Sequence, residues 1–374
     1  MESDNIYVNV VINHDEGKGN EPTFATYNVT KTQPFVDKAC DYYASIVRFT
    51  IPLSEVPLFI MPMRLGQPGP VNPNLTPFII GINFNGVDFM QNIIYVPGNS
   101  LAAPPQPNPN VQNISPYFFC YSFYDLINII NTALNNAYVL SGIAALLPGV
   151  QAPFFSFDAA TQLISLVAHT SFTQIFAPLV AKPTIVWNTD LQSYLQAFKM
   201  RNLQFNSLIG KDFQMILDVN PVFPDNTQGY ALFGTAATNP PTYFKYTQEY
   251  PTLNNWISLR KLLITSNTLP IFKEIVPVSS TADTGQFISF PILTDFVPAI
   301  EVAGQSRSIA YYNPTSQYRL VDLIDRGAIY KIDINIYWED KQGNIYPLNI
   351  ARYQQASLKL GFFRKSLYKS PLKL

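Results

Sequence analysis

The stretch Ala328-Ile329-Tyr330-Lys331-Ile332-Asp333-Ile334-Asn335-Ile336-Tyr337-Trp338-Glu339-Asp340 decides the fold class. Tyr330, Ile332, Ile334, Ile336 and Trp338 fall on one side of an extended strand, and Lys331, Asp333, Asn335, Tyr337 and Glu339 fall on the other. The pattern predicts one face in a core and the other meeting solvent or a partner. Asp340-Lys341-Gln342-Gly343-Asn344 then reads as a turn in which Gly343 takes positive φ without steric cost, and Tyr346, Leu348 and Ile350 resume the apolar face. A third strand follows, with Leu358, Leu360 and Phe362 inward and Lys359 outward. From Ala328 to Arg364 the chain therefore ends in antiparallel β structure, uninterrupted by a catalytic signature.

Working outward, the composition agrees. The chain has 374 residues, enough for two domains that each bury a core. Its 31 prolines against 17 glycines exceed the roughly 5% proline of ordinary proteins, and helices cannot absorb that many. The expectation is strands joined by stiff loops. Charged residues are only 13% and aromatics 14%, which suits a subunit that buries its flanks against neighbours. A net charge of -1 argues against a globally basic nucleic-acid binder. Cys40 and Cys120 are the two cysteines, Met1-Glu2-Ser3-Asp4 has no basic or apolar leader, and no apolar run reaches the roughly 18 residues of a membrane span. These features predict free thiols, synthesis in the cytoplasm and no membrane span, and they leave the sequons at Asn28, Asn74 and Asn113 without a role.

Strands are expected at Ile6 to Ile12, Thr23 to Thr30 and Asp41 to Pro52. The loop Asn13-His14-Asp15-Glu16-Gly17-Lys18-Gly19-Asn20 reads as a solvated turn, because one His beside two acids lacks ligand geometry and Gly-Lys-Gly without Ser or Thr is no phosphate loop. Phe78 to Phe84 turns at Asn85-Gly86 into Val87 to Val96, a strong hairpin signal. Pro97 to Pro116 reads as extended polyproline II. One helix is predicted from an N-cap at Ser122, with Asp125 in its first turn and Phe123, Leu126, Ile127, Ile130, Leu134 and Tyr138 on one face. Pro153 to Phe157 and Leu163 to Ala168 form another hairpin, and solitary His169 just beyond it reads as a packed residue. Further strands are expected at Thr184 to Trp187, Phe213 to Val219, Phe287 to Leu293 and Arg319 to Ile324.

Punctuated segments bracket residues 66-250, which read as an inserted, largely β domain containing the amphipathic helix. Residues 1-65 plus 251-374 form the other domain, a β-sandwich of jelly-roll form. An ungapped echo sets Ser45 to Ile51 over Ser258 to Ile264 and Val56 to Phe59 over Leu269 to Phe272. Chance and a duplication giving two tandem β domains both account for it.

The segments Asp41-Tyr42-Tyr43-Ala44-Ser45-Ile46-Val47-Arg48-Phe49, Asn254-Asn255-Trp256-Ile257-Ser258-Leu259, Pro291-Ile292-Leu293-Thr294-Asp295-Phe296, Gln317-Tyr318-Arg319-Leu320-Val321-Asp322-Leu323 and Ile336-Tyr337-Trp338-Glu339-Asp340 with Gly343-Asn344-Ile345-Tyr346-Pro347-Leu348 carry a resemblance. In this order they resemble the penton, or minor capsid, proteins of virophages and Polinton-like viruses, from about residue 40 to the end. The resemblance implies a lower jelly-roll domain in the capsid floor and an upper insertion domain facing out. It also implies a homopentamer at each icosahedral vertex of the virion, beside trimers of a major capsid protein.

After Asp340 the chain carries Lys341, Arg352, Lys359, Arg364, Lys365, Lys369 and Lys373 and no acid. A solvated end is one reading. The functional one gives Arg364, Lys365, Lys369 and Lys373 a contact with packaged DNA or with an acidic patch on a neighbouring capsid protein. The competing class is a β-sandwich module that recognises a glycan or host receptor, but Trp187, Trp256 and Trp338 all sit in expected strands where packing is their job. An enzyme is the weakest reading. Two His and the absence of Gly-x-Ser-x-Gly, His-Glu-x-x-His and paired-cysteine spacing leave no catalytic, cofactor or metal site to nominate.

Overall fold

A computed structural model describes residues 5–64, 74–97, 116–175, 177–203, 210–217, 243–277, 287–298, 309–313 and 319–368. The polyproline II segment and much of the proline-rich stretch after residue 217 lie outside the described residues. Contacts divide the chain into two compact units, one of Met1–Pro57, Ser258–Glu301 and Ser306–Leu374, the other of Leu58–Ile257 with Val302–Gln305.

The principal strands of the first unit are β1 (Asn5–Asn13), β2 (Thr26–Thr30), β3 (Tyr42–Pro52), β4 (Leu259–Thr265), β5 (Ile292–Phe296), β6 (Ile309–Tyr312), β7 (Lys331–Asp340) and β8 (Gln355–Arg364). They form two five-stranded antiparallel sheets. The first runs β1-β8-β3-β6, with Val321–Asp322 also on β3; the second runs β5-β4-β7, with both β2 and Ile345–Pro347 on the far side of β7. The orders 1-8-3-6 and 2-7-4-5 are those of a jelly roll, in which the chain passes from sheet to sheet. Between the sheets Phe49 of β3 meets Phe296 of β5 edge-on at 5.2 Å, and it stacks on Tyr312 of β6 at the same separation. The strand segments of the internal echo, Ser45 to Ile51 and Ser258 to Ile264, both lie in this unit, in β3 and at β4 of opposite sheets, whereas Leu58 and Phe59 fall in the other unit.

β3 keeps its core face through a bulge. Ile46 opposes Leu360 and Arg48 opposes Lys359, so Val47 is the extra residue. Ala44 and Ile46 are buried before it, and Phe49 and Ile51 after it. A strict alternation would have exposed one pair or the other.

The expectation for β7 needs correction. Ile332, Ile334, Ile336 and Trp338 are buried, but so are Asp333, Asn335 and Glu339 on the opposite face. A satellite core of Leu263 and Ile292, with Phe290, Tyr337 and Ile345 packed on it, covers that side. The polar groups survive there because they are paired. Asp333 accepts hydrogen bonds from Ser266 Oγ (2.7 Å), Thr268 Oγ1 (2.7 Å), Thr268 N (2.8 Å), Asn267 N (3.1 Å) and Asn335 Nδ2 (2.9 Å). The Glu339 carboxylate meets Arg260 at 2.9 Å and Lys261 at 3.5 Å. Tyr330, expected inward, is exposed just ahead of the strand. The turn that follows is as expected: Gly343 has φ 87°, and Asp340 accepts from Asn344 N (2.8 Å) and the Tyr346 hydroxyl (2.9 Å).

Smaller differences have local causes. Pro291 has no amide to donate, so the expected strand from Phe287 divides into Phe287–Phe290 and β5. Thr23 to Thr30 divides at Ala25, the strand expected at Arg319 to Ile324 is only Val321–Asp322, and Trp256 ends a short helix, Leu253–Trp256.

In the second unit, helix α1 (Phe123–Leu140) starts where expected, with Ser122 Oγ accepting from Tyr124 N at 3.1 Å. Its buried face packs on the hairpin Leu75–Phe84/Val87–Ile94 and on Phe154–Asp158. Asn85 and Gly86 take φ 51° and 78°, the pair of positive values that a tight hairpin turn demands. The hairpin belongs to a five-stranded sheet, and Phe154–Asp158 to a three-stranded one.

Two outcomes follow. Asp333→Ala should lower stability by about 3 kcal/mol in urea unfolding at pH 7, since five donors lose a charged acceptor. Burial alone would raise the Asp333 pKa, but Thr268, Ser266 and Asn267 donors outweigh it and hold the carboxyl below its usual value. The contribution is therefore full above the unfolded pKa near 4 and lost as pH falls through the folded value, so the gap between wild type and variant narrows in acid. Gly81→Ala should cost about 2 kcal/mol, because its Cβ would sit 2.5 Å from the Phe89 carbonyl oxygen and 2.9 Å from Met90 Cα, both backbone atoms.

Candidate functional site

The residue types that could support catalysis are occupied structurally. His14 Nε2 lies 2.7 Å from the Glu21 carbonyl oxygen, and Asp15 Oδ1 accepts from Gly17 N at 3.0 Å, so the Asn13 to Asn20 loop is a self-bonded turn. His169 is buried and caps a turn of 3-10 helix, Thr170–Phe172, with Nδ1 accepting from Ser171 N at 3.2 Å. That role puts the ring proton on Nε2, and burial holds the imidazole pKa down to about 4. Cys40 and Cys120 are free thiols, and burial pushes the Cys120 thiol far above its ordinary value. Among the described residues no three of His, Cys, Asp or Glu group to hold a metal ion. Trp187, Trp256 and Trp338 are fully buried and offer no stacking platform to a glycan.

The basic end is rooted in the jelly roll. Arg364 closes β8 opposite Tyr42 and is half-buried. Lys365 opens a single helical turn, Lys365–Tyr368; its ammonium pairs with Asp322, donates to the Leu323 carbonyl oxygen at 3.2 Å and lies 5.2 Å from the Tyr43 ring centre. Lys365 is thus held by its own unit. Lys369 and Lys373 lie outside the described residues.

A second surface was not singled out from sequence. On the outer face of the first sheet, Val11, Ser357, Thr50 and Tyr311 align in register across β1, β8, β3 and β6, beside a row of Asn9, Lys359 and Arg48. The alternation of Tyr7, Asn9 and Val11 was legible, but which strands would join them was not.

Comparison with known proteins then decides the class. The model of the family described as Sputnik minor capsid protein V18/19 matches residues 6–365. The chain belongs to that family. Structural protein V19 of Sputnik virophage is 33% identical over 215 residues, covering 58% of this chain and 95% of V19. Uncharacterized protein V18 of the same virophage is 36% identical over 165 residues, covering 41% of this chain and 93% of V18. A chain in the cryo-EM structure of the Sputnik virophage superposes with TM-score 0.81 at 30% identity, covering 99% of this chain and 100% of that one. The mavirus penton protein shares the fold, with TM-score 0.65 at 14% identity over 96% of this chain and 99% of that one. This member of the V18/19 family is a structural protein of the virion capsid, not an enzyme.

The capping role of His169 has a measurable consequence. Its folded pKa of about 4 lies below the ordinary 6.5, so the unfolded chain takes the proton first. Stability should fall as pH drops from about 6.5 toward 4. His169→Asn keeps a capping side chain and should lack that part of the pH dependence in urea midpoints measured at pH 7 and 5.

Proposed function

We propose that this capsid protein is a penton subunit, five copies of which close a ring at each icosahedral vertex and contact trimers of the major capsid protein. The observation that carries the reading is the 1-8-3-6/2-7-4-5 sandwich in a member of a minor capsid family. Its sharing of the mavirus penton protein's fold along nearly the full length supports it. A ring of identical chains uses a head-to-tail contact, so each copy presents two different complementary surfaces, and the rotation closes. A chain with 13% charged and 14% aromatic residues suits such burial. Free thiols fit synthesis and assembly in the host cytoplasm.

The basic end contacts packaged DNA or an acidic patch of a neighbour through Arg364, Lys365, Lys369 and Lys373. Because Lys365 is also held by Asp322, it anchors the segment, and the outward contact falls mainly to the lysines beyond it.

Light scattering behind a sizing column, with negative-stain images of the same fraction, tests the ring: the expected particle has five times the chain mass and fivefold outline. A monomer that also ignores the major capsid protein on mixing contradicts the reading. Replacing the four basic residues with Gln should leave the ring intact and reduce genome retention as salt is raised; unchanged retention at every salt concentration removes the tail contact.

A further inference from the structure

The outer face of the first jelly-roll sheet has the shape and charge of a receiving surface. Ser357 and Thr50 are short, so the middle of the face is a trough of about 260 Å³ with Val11 and Tyr311 as its walls. Tyr7, Val11, Ile309 and Tyr311 are 47%, 47%, 57% and 64% exposed. Single exposed apolar side chains are ordinary, but Val11 and Tyr311 share one row of the face and Ile309 stands on the next, which makes a patch.

The charges are the second observation. Lys359 and Arg48 are direct cross-strand partners, and like charges opposite one another weaken an antiparallel pair. Among the described residues no carboxylate lines the trough. Among the described residues neither cation has an ion-pair partner, and the Lys359 ammonium lies 4.4 Å from the Tyr7 ring centre instead. The free chain carries a repulsion that an incoming carboxylate would relieve.

We propose that this trough docks an extended, carboxylate-bearing apolar segment of another virion protein. Its apolar side chains lie against Val11, Tyr311 and Ile309, and its carboxylate sits between Arg48 and Lys359. The inference rests on the capsid role and does not require the fivefold ring. A different chain is the better complement, because in three of this chain's own acid-bearing exposed segments an acid is already paired. Among the described residues, Glu274 and Asp295, in segments that also expose Phe272, Ile275 and Val297, share Arg319; Asp322, between exposed Leu320 and Ile324, pairs with Lys365.

A photo-cross-linking p-benzoylphenylalanine at Thr50, and separately at Tyr311, in the full chain within assembled particles tests the occupant. The expected adduct is a peptide of another virion protein with Asp or Glu among apolar residues. A peptide of this chain, a peptide without an acid, or no adduct at either position overturns the proposal. Arg48→Gln tests the charge argument: incorporation into particles should fall about tenfold, while the melting temperature of the isolated chain stays level or rises. Arg48→Lys should incorporate normally. Normal incorporation of Arg48→Gln overturns the carboxylate contact. Loss of a ring that the wild type forms in solution would assign the face to a second copy and overturn the choice of partner.

Discussion

The first unit depends on one strand being hydrogen-bonded on both sides. Among the described residues β8 is the last strand, and it lies between β1, the first, and β3. Asn5 pairs with Phe363 and Tyr42 with Arg364, so segments far apart in sequence and the residues that precede the second unit meet in one sheet. Removing β8 would strip the inner edges of both neighbours and take the buried Leu358, Leu360 and Phe362 out of the core. Such pairing closes a loop of nearly the whole chain. It is entropically costly and slow to form, and the sheet cannot complete until β8 exists.

The second sheet is held by a different device. β7 buries Ile332, Ile334, Ile336 and Trp338 on one face, but its other face carries Asp333, Asn335 and Glu339 beside a second, smaller core. Burying a carboxylate costs several kcal/mol unless donors surround it. Asp333 meets that condition by gathering the Ser266 to Thr268 turn, which fixes how the chain leaves β4. Glu339 meets it through Arg260 and Lys261 of the neighbouring strand. The sandwich is thus thicker than two sheets.

What could be read from residues alone was local. The apolar face of β7 from Ile332 to Trp338 and that of β8, the Asn85-Gly86 turn, the Ser122 cap and the positive φ at Gly343 depend on neighbours in sequence, and they are as expected. The pairing of β8 with β1 and β3 depends on residues far away, and no periodicity encodes it. The polar side of β7 was misassigned to solvent or a partner because alternation records polarity, whereas burial also depends on what packs above. The outer face of the first sheet was illegible for the same reason: Val11, Thr50, Ser357 and Tyr311 come from four separated segments, and only register brings them together. The lysine run was legible as charge, but the Asp322 partner of Lys365 was not.

A jelly roll closed by its own terminal strand is a rigid block with two sheet faces, which is what a symmetric shell needs from a repeated part. On the penton reading this block stands at the vertices of the virion. A cryo-EM reconstruction of purified particles tests it most directly. Density at each fivefold axis should take five copies of the 1-8-3-6/2-7-4-5 sandwich without rearrangement. Vertex density of another fold, with this chain found elsewhere in the shell, would contradict it.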